Sequence, residues 1–182
     1  IKGINLEGLR IIGKAENFSS YYYKNGADEI CYIDNVATLY GTNNLSKFIT
    51  NAAKDVFIPL SVGGGIRNIQ DIRSMLLAGA DKICINSAVI KNINFLKEAS
   101  RIFGSANITV IIQSIKIDNN YFISSSNGRD IHKYNTFDWA KKVQDYGLGI
   151  KTKNGHGGLY IEPIAQLNKT EDCHLNTTDT PD

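Results

Sequence analysis

Apolar positions along this chain fall into two kinds of run. Short, nearly continuous stretches recur as Ile30-Cys31-Tyr32-Ile33-Asp34, Phe57-Ile58-Pro59-Leu60-Ser61-Val62, Lys82-Ile83-Cys84-Ile85-Asn86 and Ile108-Thr109-Val110-Ile111-Ile112-Gln113. Runs of that length without clean alternation predict strands covered on both faces. Between them the apolar residues return every three or four positions, which predicts helices over 15–25, 45–55, 68–78 and 94–103. Leu45, Phe48, Ile49 and Ala52 share one such face, and Ile69, Ile72, Met75 and Leu76 another. The order α-β-α-β-α-β-α-β requires a parallel sheet.

Two helix-to-strand joints have the same form, Gly26-Ala27-Asp28-Glu29-Ile30 and Gly79-Ala80-Asp81-Lys82-Ile83. Glycine after a helix followed by an extended run fits a left-handed cap, so the two βα units look related. Asp118-Asn119-Asn120 reads as a hairpin turn inside 114–124, and a helix is expected over 136–146. Beyond Gly149 the pattern fades. No further strand rich in Ile and Val is expected after residue 124, residues 159–167 suit one short helix or strand, and the last dozen residues are expected to be poorly ordered. The expected division is a barrel-like part over 1–149 and a divergent tail over 150–182.

Composition narrows the classes. The 182 residues carry 20 basic and 18 acidic side chains, a net charge of +2, which leaves no electrostatic footprint for nucleic acid or an anionic membrane. No apolar stretch is long enough to span a bilayer and the first residues hold no signal-peptide core. Cys31, Cys84 and Cys173 form no CxxC pair, so no metal site, disulfide framework or cofactor motif is indicated. Cys31 and Cys84 read as small buried core residues and the chain as a reduced, cytoplasmic protein. His132, His156 and His174 read as surface residues, and Trp139 as packing.

Ligands of parallel α/β sheets bind at the carboxyl ends of the strands. Those ends offer Asp34, Gly63-Gly64-Gly65, Asn86-Ser87 and Gln113. Asp34 is either a loop cap or a substrate ligand. The triple glycine is either a tight turn or, with Asn86 and Ser87, a cradle of backbone donors for a phosphate. At the other end, alternation puts Glu29 and Lys82 on the faces of Cys31 and Cys84. They are either exposed flanking charges or an ion pair facing the sheet interior.

Four segments also agree in order and spacing with one family: 2–10, 26–29, 62–67 and 78–88. The chain resembles the cyclase subunit of imidazole glycerol phosphate synthase over residues 2–149. The resemblance implies a (β/α)8 barrel of histidine biosynthesis that takes ammonia from a glutaminase subunit and acts on a phosphorylated small molecule. It implies that Gly64, Gly65, Asn86 and Ser87 hold phosphate, that Lys2 and Asp34 face the active end, and that Glu29 and Lys82 belong to an ammonia gate.

The departures shape the expectation. The family's two catalytic aspartates correspond to a strand before Ile1 and to the position of Gln113, and an amide cannot exchange a proton as a carboxylate does. The barrel is therefore expected to be incomplete, with its first strand and its units after Gly149 missing or degraded. Asn154-Gly155-His156-Gly157 suits a shortened second phosphate loop. The segment 34–45 and Gln113-Ser114 resemble more closely the paralogues serving acetamidino modification of surface sugars, where a sugar amidotransferase receives the ammonia. The alternatives are a histidine-pathway cyclase and lyase, or a non-catalytic fragment.

Overall fold

The computed structural model describes residues 14–34, 37, 45–148 and 158–163. Helices and strands alternate: α1 (Ala15–Lys24), β1 (Ile30–Ile33), α2 (Leu45–Ala52), β2 (Leu60–Gly63), α3 (Ile69–Leu77), β3 (Lys82–Ile85), a short α4 (Ser87–Lys91), α5 (Ile93–Phe103) and β4 (Ile108–Ile117). A hairpin of β5 (Asn120–Ser125) and β6 (Asp130–Asn135) follows, then α6 (Thr136–Val143) and β7 (Gly158–Pro163). Strands β1, β2, β3, β4 and β7 pair in parallel and in chain order. This is the α/β architecture of a (β/α)8 barrel, of which the described residues supply an open arc.

β4 is where the sheet branches. Its first residues pair with β3 on one edge while β7 runs along the other, and from Gln113 onward β5 takes over the edge that β3 has left. The two-residue turn Asp118-Asn119 closes the hairpin, with Asp118 at φ +52°, a conformation aspartate tolerates better than most side chains.

One face of the sheet carries the core. Val62, Ile83, Ile85, Ile108, Val110 and Ile112 are buried against Ile49, Ile72, Met75, Leu96, Ala99, Trp139 and Val143 of the helices. Fully burying an aliphatic side chain is worth about 1.5–3 kcal/mol, so this layer dominates the stability. The opposite, inner face is small and polar. Register places Cys31, Ser61 and Lys82 side by side, then Ile33, Gly63, Cys84 and Thr109 one step further on. Local signals agree with the packing. Asn68 caps α3 in a capping box with Asp71, and the repeated joints both close on a glycine with positive φ, Gly26 and Gly79.

Several expectations change. β2 begins at Leu60 rather than Phe57, because Pro59 offers a carbonyl to the Ile30 N–H but has no N–H to donate. β6, after residue 124, arises from Asp130-Ile131-His132-Lys133-Tyr134-Asn135, whose mostly exposed side chains leave no apolar run to read. For residues 159–167 the strand reading holds over the part that β7 covers. Cys31 is exposed rather than buried, since it lies on the inner face and not against the helices. His132 is part-buried and its Nε2 lies 2.8 Å from the Ser125 hydroxyl, so it ties the hairpin together instead of standing free on the surface. Among the described residues no helix is long and apolar enough to cross a membrane.

Candidate functional site

The carboxyl ends of β2 and β3 converge on a cleft of about 300 Å³, lined by Gly65, Ile66, Arg67, Ser87, Ala88, Lys91, Asn92 and Phe95. Gly65 and Ser87 come from the expected set. Gly64 and Asn86 stand behind them as supports. Gly64 has φ +100°, and a Cβ there would lie 2.3 Å from the Asp34 carbonyl oxygen. Only glycine lets the chain turn this close to the end of β1. The Asn86 carbonyl accepts the N–H groups of Val89 and Ile90 and so starts α4.

Arg67 and Lys91 bring positive charge to the cleft, which the sequence reading missed. Arg67 sits on the loop after β2 and Lys91 at the end of α4, both exposed, and only the fold brings them together. Arg67 is positioned from both ends: its N–H donates to the Asp71 carboxylate at 2.8 Å, and its guanidinium donates to the Ala37 carbonyl at 3.2 Å. A glycine turn, a hydroxyl and two cations around a cleft can receive an anion.

Asp34 ends β1. Its Oδ1 accepts the Ala37 N–H at 2.9 Å, so the capping geometry is present at this carboxylate. Gln113 lies deeper, on β4, in register with Ser124 on one side and Glu162 of β7 on the other. That places an acidic residue beside the amide in the pairing register, in a stretch that suited either a short helix or a strand. Lys2 and the 154–157 segment lie outside the described residues, as do His156, His174 and Cys173.

At the amino ends of the strands, Lys82 Nζ and Glu29 Oε2 form an ion pair at 2.7 Å, and Ser61 of the intervening β2 donates to Glu29 Oε1. Both charged side chains are about one-third exposed. Burial by itself would raise the Glu29 carboxyl, but the Lys82 bond, the Ser61 bond and the Lys82 charge outweigh it and hold it below the ordinary 4.5. A depressed carboxyl stabilises the fold above its unfolded pKa, and that contribution is lost as pH falls through the lower folded value. The wild-type melting temperature should therefore fall more steeply below pH 4.5 than that of Glu29→Gln. Parallel curves for the two proteins would show that the pair is energetically idle.

The family described as "Histidine biosynthesis protein" matches residues 1–151. The chain belongs to this family. Three relatives carry the name imidazole glycerol phosphate synthase subunit HisF. The Legionella pneumophila protein is 41% identical over 175 residues, spanning 92% of this chain and 82% of the relative. The Campylobacter concisus protein is 40% identical over 149 residues, with shares of 82% and 59%. The Staphylococcus saprophyticus protein is 39% identical over 163 residues, with shares of 87% and 65%. The chain thus spans only part of each relative's length, and it sits with the cyclase subunits of the histidine biosynthesis family.

Proposed function

We propose that this chain is an ammonia-receiving barrel subunit, fed by a glutaminase at the amino ends of its strands and holding a phosphorylated small molecule at their carboxyl ends. The observation that carries the reading is the pairing of opposite features at the two ends of the sheet: a Glu29–Ser61–Lys82 cluster at the amino ends of the strands and the Gly65–Ser87 cleft at the carboxyl ends. Around the amino end, Phe57 and Leu77 are 78% and 82% exposed and would be covered by the partner subunit in this reading. In this reading the ion pair guards the entrance, Gly65, Ser87, Arg67 and Lys91 hold the phosphate, and Gly64 and Asn86 shape its floor. The family resemblance assigns Lys2 and Asp34 to the substrate end as well.

Gln113 supports the finer reading. At the position where the family resemblance places an acid–base aspartate, an amide neither takes up nor gives a proton near neutral pH. General acid–base groups contribute about 10²–10⁴-fold, so cyclisation without that carboxylate would be slow by that order. Transfer of ammonia to a separate sugar amidotransferase, for acetamidino modification, fits the substitution. The second reading, the histidine-pathway cyclase and lyase, is favoured by the name its relatives carry.

The anion site has a direct test. Inorganic phosphate at about 100 times its dissociation constant should stabilise the fold by about 2.7 kcal/mol. That is about 5–10 °C in melting temperature for a chain of this size. Sodium chloride of equal ionic strength should not reproduce the shift, and Ser87→Ala and Arg67→Ala should each reduce it. An undiminished shift in both variants would remove the phosphate from this cleft.

A further inference from the structure

The inner face holds one cluster that the proposed function does not use. Cys31 on β1 and Cys84 on β3 bring their Sγ atoms to 3.9 Å across the intervening β2. The contact depends on what β2 lacks. A Cβ on Gly63 would lie 2.7 Å from the Cys84 Cβ, so only a residue without a side chain lets Cys84 lean over β2 towards Cys31.

We propose that Cys31 and Cys84 form a two-thiolate site for a thiophilic d10 cation, copper(I) being the member that such soft ligands select. The site lies on the inner face, one residue layer beyond the Glu29–Lys82 pair. Two metal–sulfur bonds of about 2.3 Å spanning the observed gap subtend an angle of about 115° at the ion. That is open enough for a third ligand from solvent or a small thiol. A disulfide fits much less well. β1 and β3 are two strand spacings apart, roughly 9–10 Å in a flat sheet, whereas a disulfide needs Cα atoms within about 7 Å. A bridging ion spans the gap with the backbone in place.

Binding breaks two S–H bonds, forms two S–metal bonds and releases two protons to solvent, with no change in oxidation state. In the metal-free protein the neighbouring Cys31 thiol and burial both push the Cys84 thiol up, which favours its S–H form. A cation reverses that preference, since a coordinating thiol gives up its proton outright. A bound ion would also tie β1 to β3 directly above the entrance.

The test is a titration of the full, reduced chain with Cd²⁺ alone, read by sulfur-to-metal charge-transfer absorption in the ultraviolet. The expected result is one ion per chain, with the absorption lost in Cys31→Ser and in Cys84→Ser and kept in Cys173→Ser. Because Cys31 is exposed, Cys31→Ser decides the matter even where Cys84→Ser folds poorly. Unchanged absorption in Cys31→Ser, loss of it in Cys173→Ser, or none in the wild type would each overturn the site. Oxidised glutathione should leave no Cys31–Cys84 disulfide in a peptide map. Finding one would overturn the choice of a cation over a covalent link.

Discussion

Gly64→Ala should be among the most damaging single substitutions in the described chain. The added Cβ would meet the Asp34 carbonyl oxygen at 2.3 Å, the Asp34 nitrogen at 2.7 Å and the Asp34 carbonyl carbon at 2.8 Å. These are backbone atoms at the end of a strand, so no flexible side chain can swing away. Asp34 N–H is itself bonded to the Gly63 carbonyl at 2.9 Å, which locks the two strand ends together. The residue also sits at φ +100°, where a side chain adds about 1–3 kcal/mol of strain. Overpacking adds about 1–3 kcal/mol more. The expected loss is about 3–5 kcal/mol, read as a lower urea midpoint with an unchanged slope. A loss below about 1 kcal/mol would mean that the turn is not built as described. The same geometry makes substitutions at Gly64 poor probes of ligand binding, because they break the turn before they touch the cleft.

Trp139→Ala should cost about 3–5 kcal/mol. The indole is only 3% exposed and joins the main core from α6. It stacks at a tilt on Tyr134 of β6, with ring centroids 5.1 Å apart, and the Lys142 ammonium lies 5.6 Å above it. It therefore connects two things that the sequence keeps apart, the β5–β6 hairpin and the helix-covered face of the sheet. The buried Ser114–Thr136 hydroxyl pair at 2.7 Å makes the same connection from β4 to α6. Urea unfolding followed by tryptophan fluorescence in the wild type and by circular dichroism in both proteins would measure the loss. Hydrogen exchange should also quicken first in 120–135. Exchange that quickens evenly across the chain would contradict the idea that Trp139 anchors the hairpin.

How much of this was legible in the residues follows from where each kind of information resides. The helix-facing halves of β1 to β4 announce themselves, because Val62, Ile83, Ile85, Val110 and Ile112 must be apolar to meet the helices. The repeated Gly-Ala-Asp joints are equally local, each set by one glycine's backbone. What sequence pattern misses is short or exposed: the five residues of α4, too few to show a period, and β6, whose mostly exposed side chains mix polar residues with Ile131 and Tyr134. Cys31 misleads for a related reason. An apolar-looking residue on the inner face is not part of the core that the helices cover.

The site divides in the same way. Gly64, Gly65 and Ser87 lie within contiguous motifs and can be named from the chain alone. Arg67 and Lys91 are ordinary exposed cations until β2 and β3 lie side by side. Ser61 is one hydroxyl in an apolar strand, and only the register Cys31–Ser61–Lys82 shows that it completes the Glu29 pair. The position of Glu162 beside Gln113 likewise exists only in the pairing of β4 with β7.

The central claim, that this barrel subunit receives ammonia from a glutaminase without carrying out cyclisation, is tested most directly by one coupled assay. The glutaminase subunit of the same organism would be supplied with glutamine and the phosphoribulosyl-formimino ribonucleotide, with and without the full protein, while glutamate and any imidazole product are measured. The account predicts faster glutamate release when the protein is present and no imidazole product, because Gln113 stands where the resemblance places a proton-exchanging carboxylate. Glutamate release at an unchanged rate, or imidazole product formed in step with it, would contradict the claim.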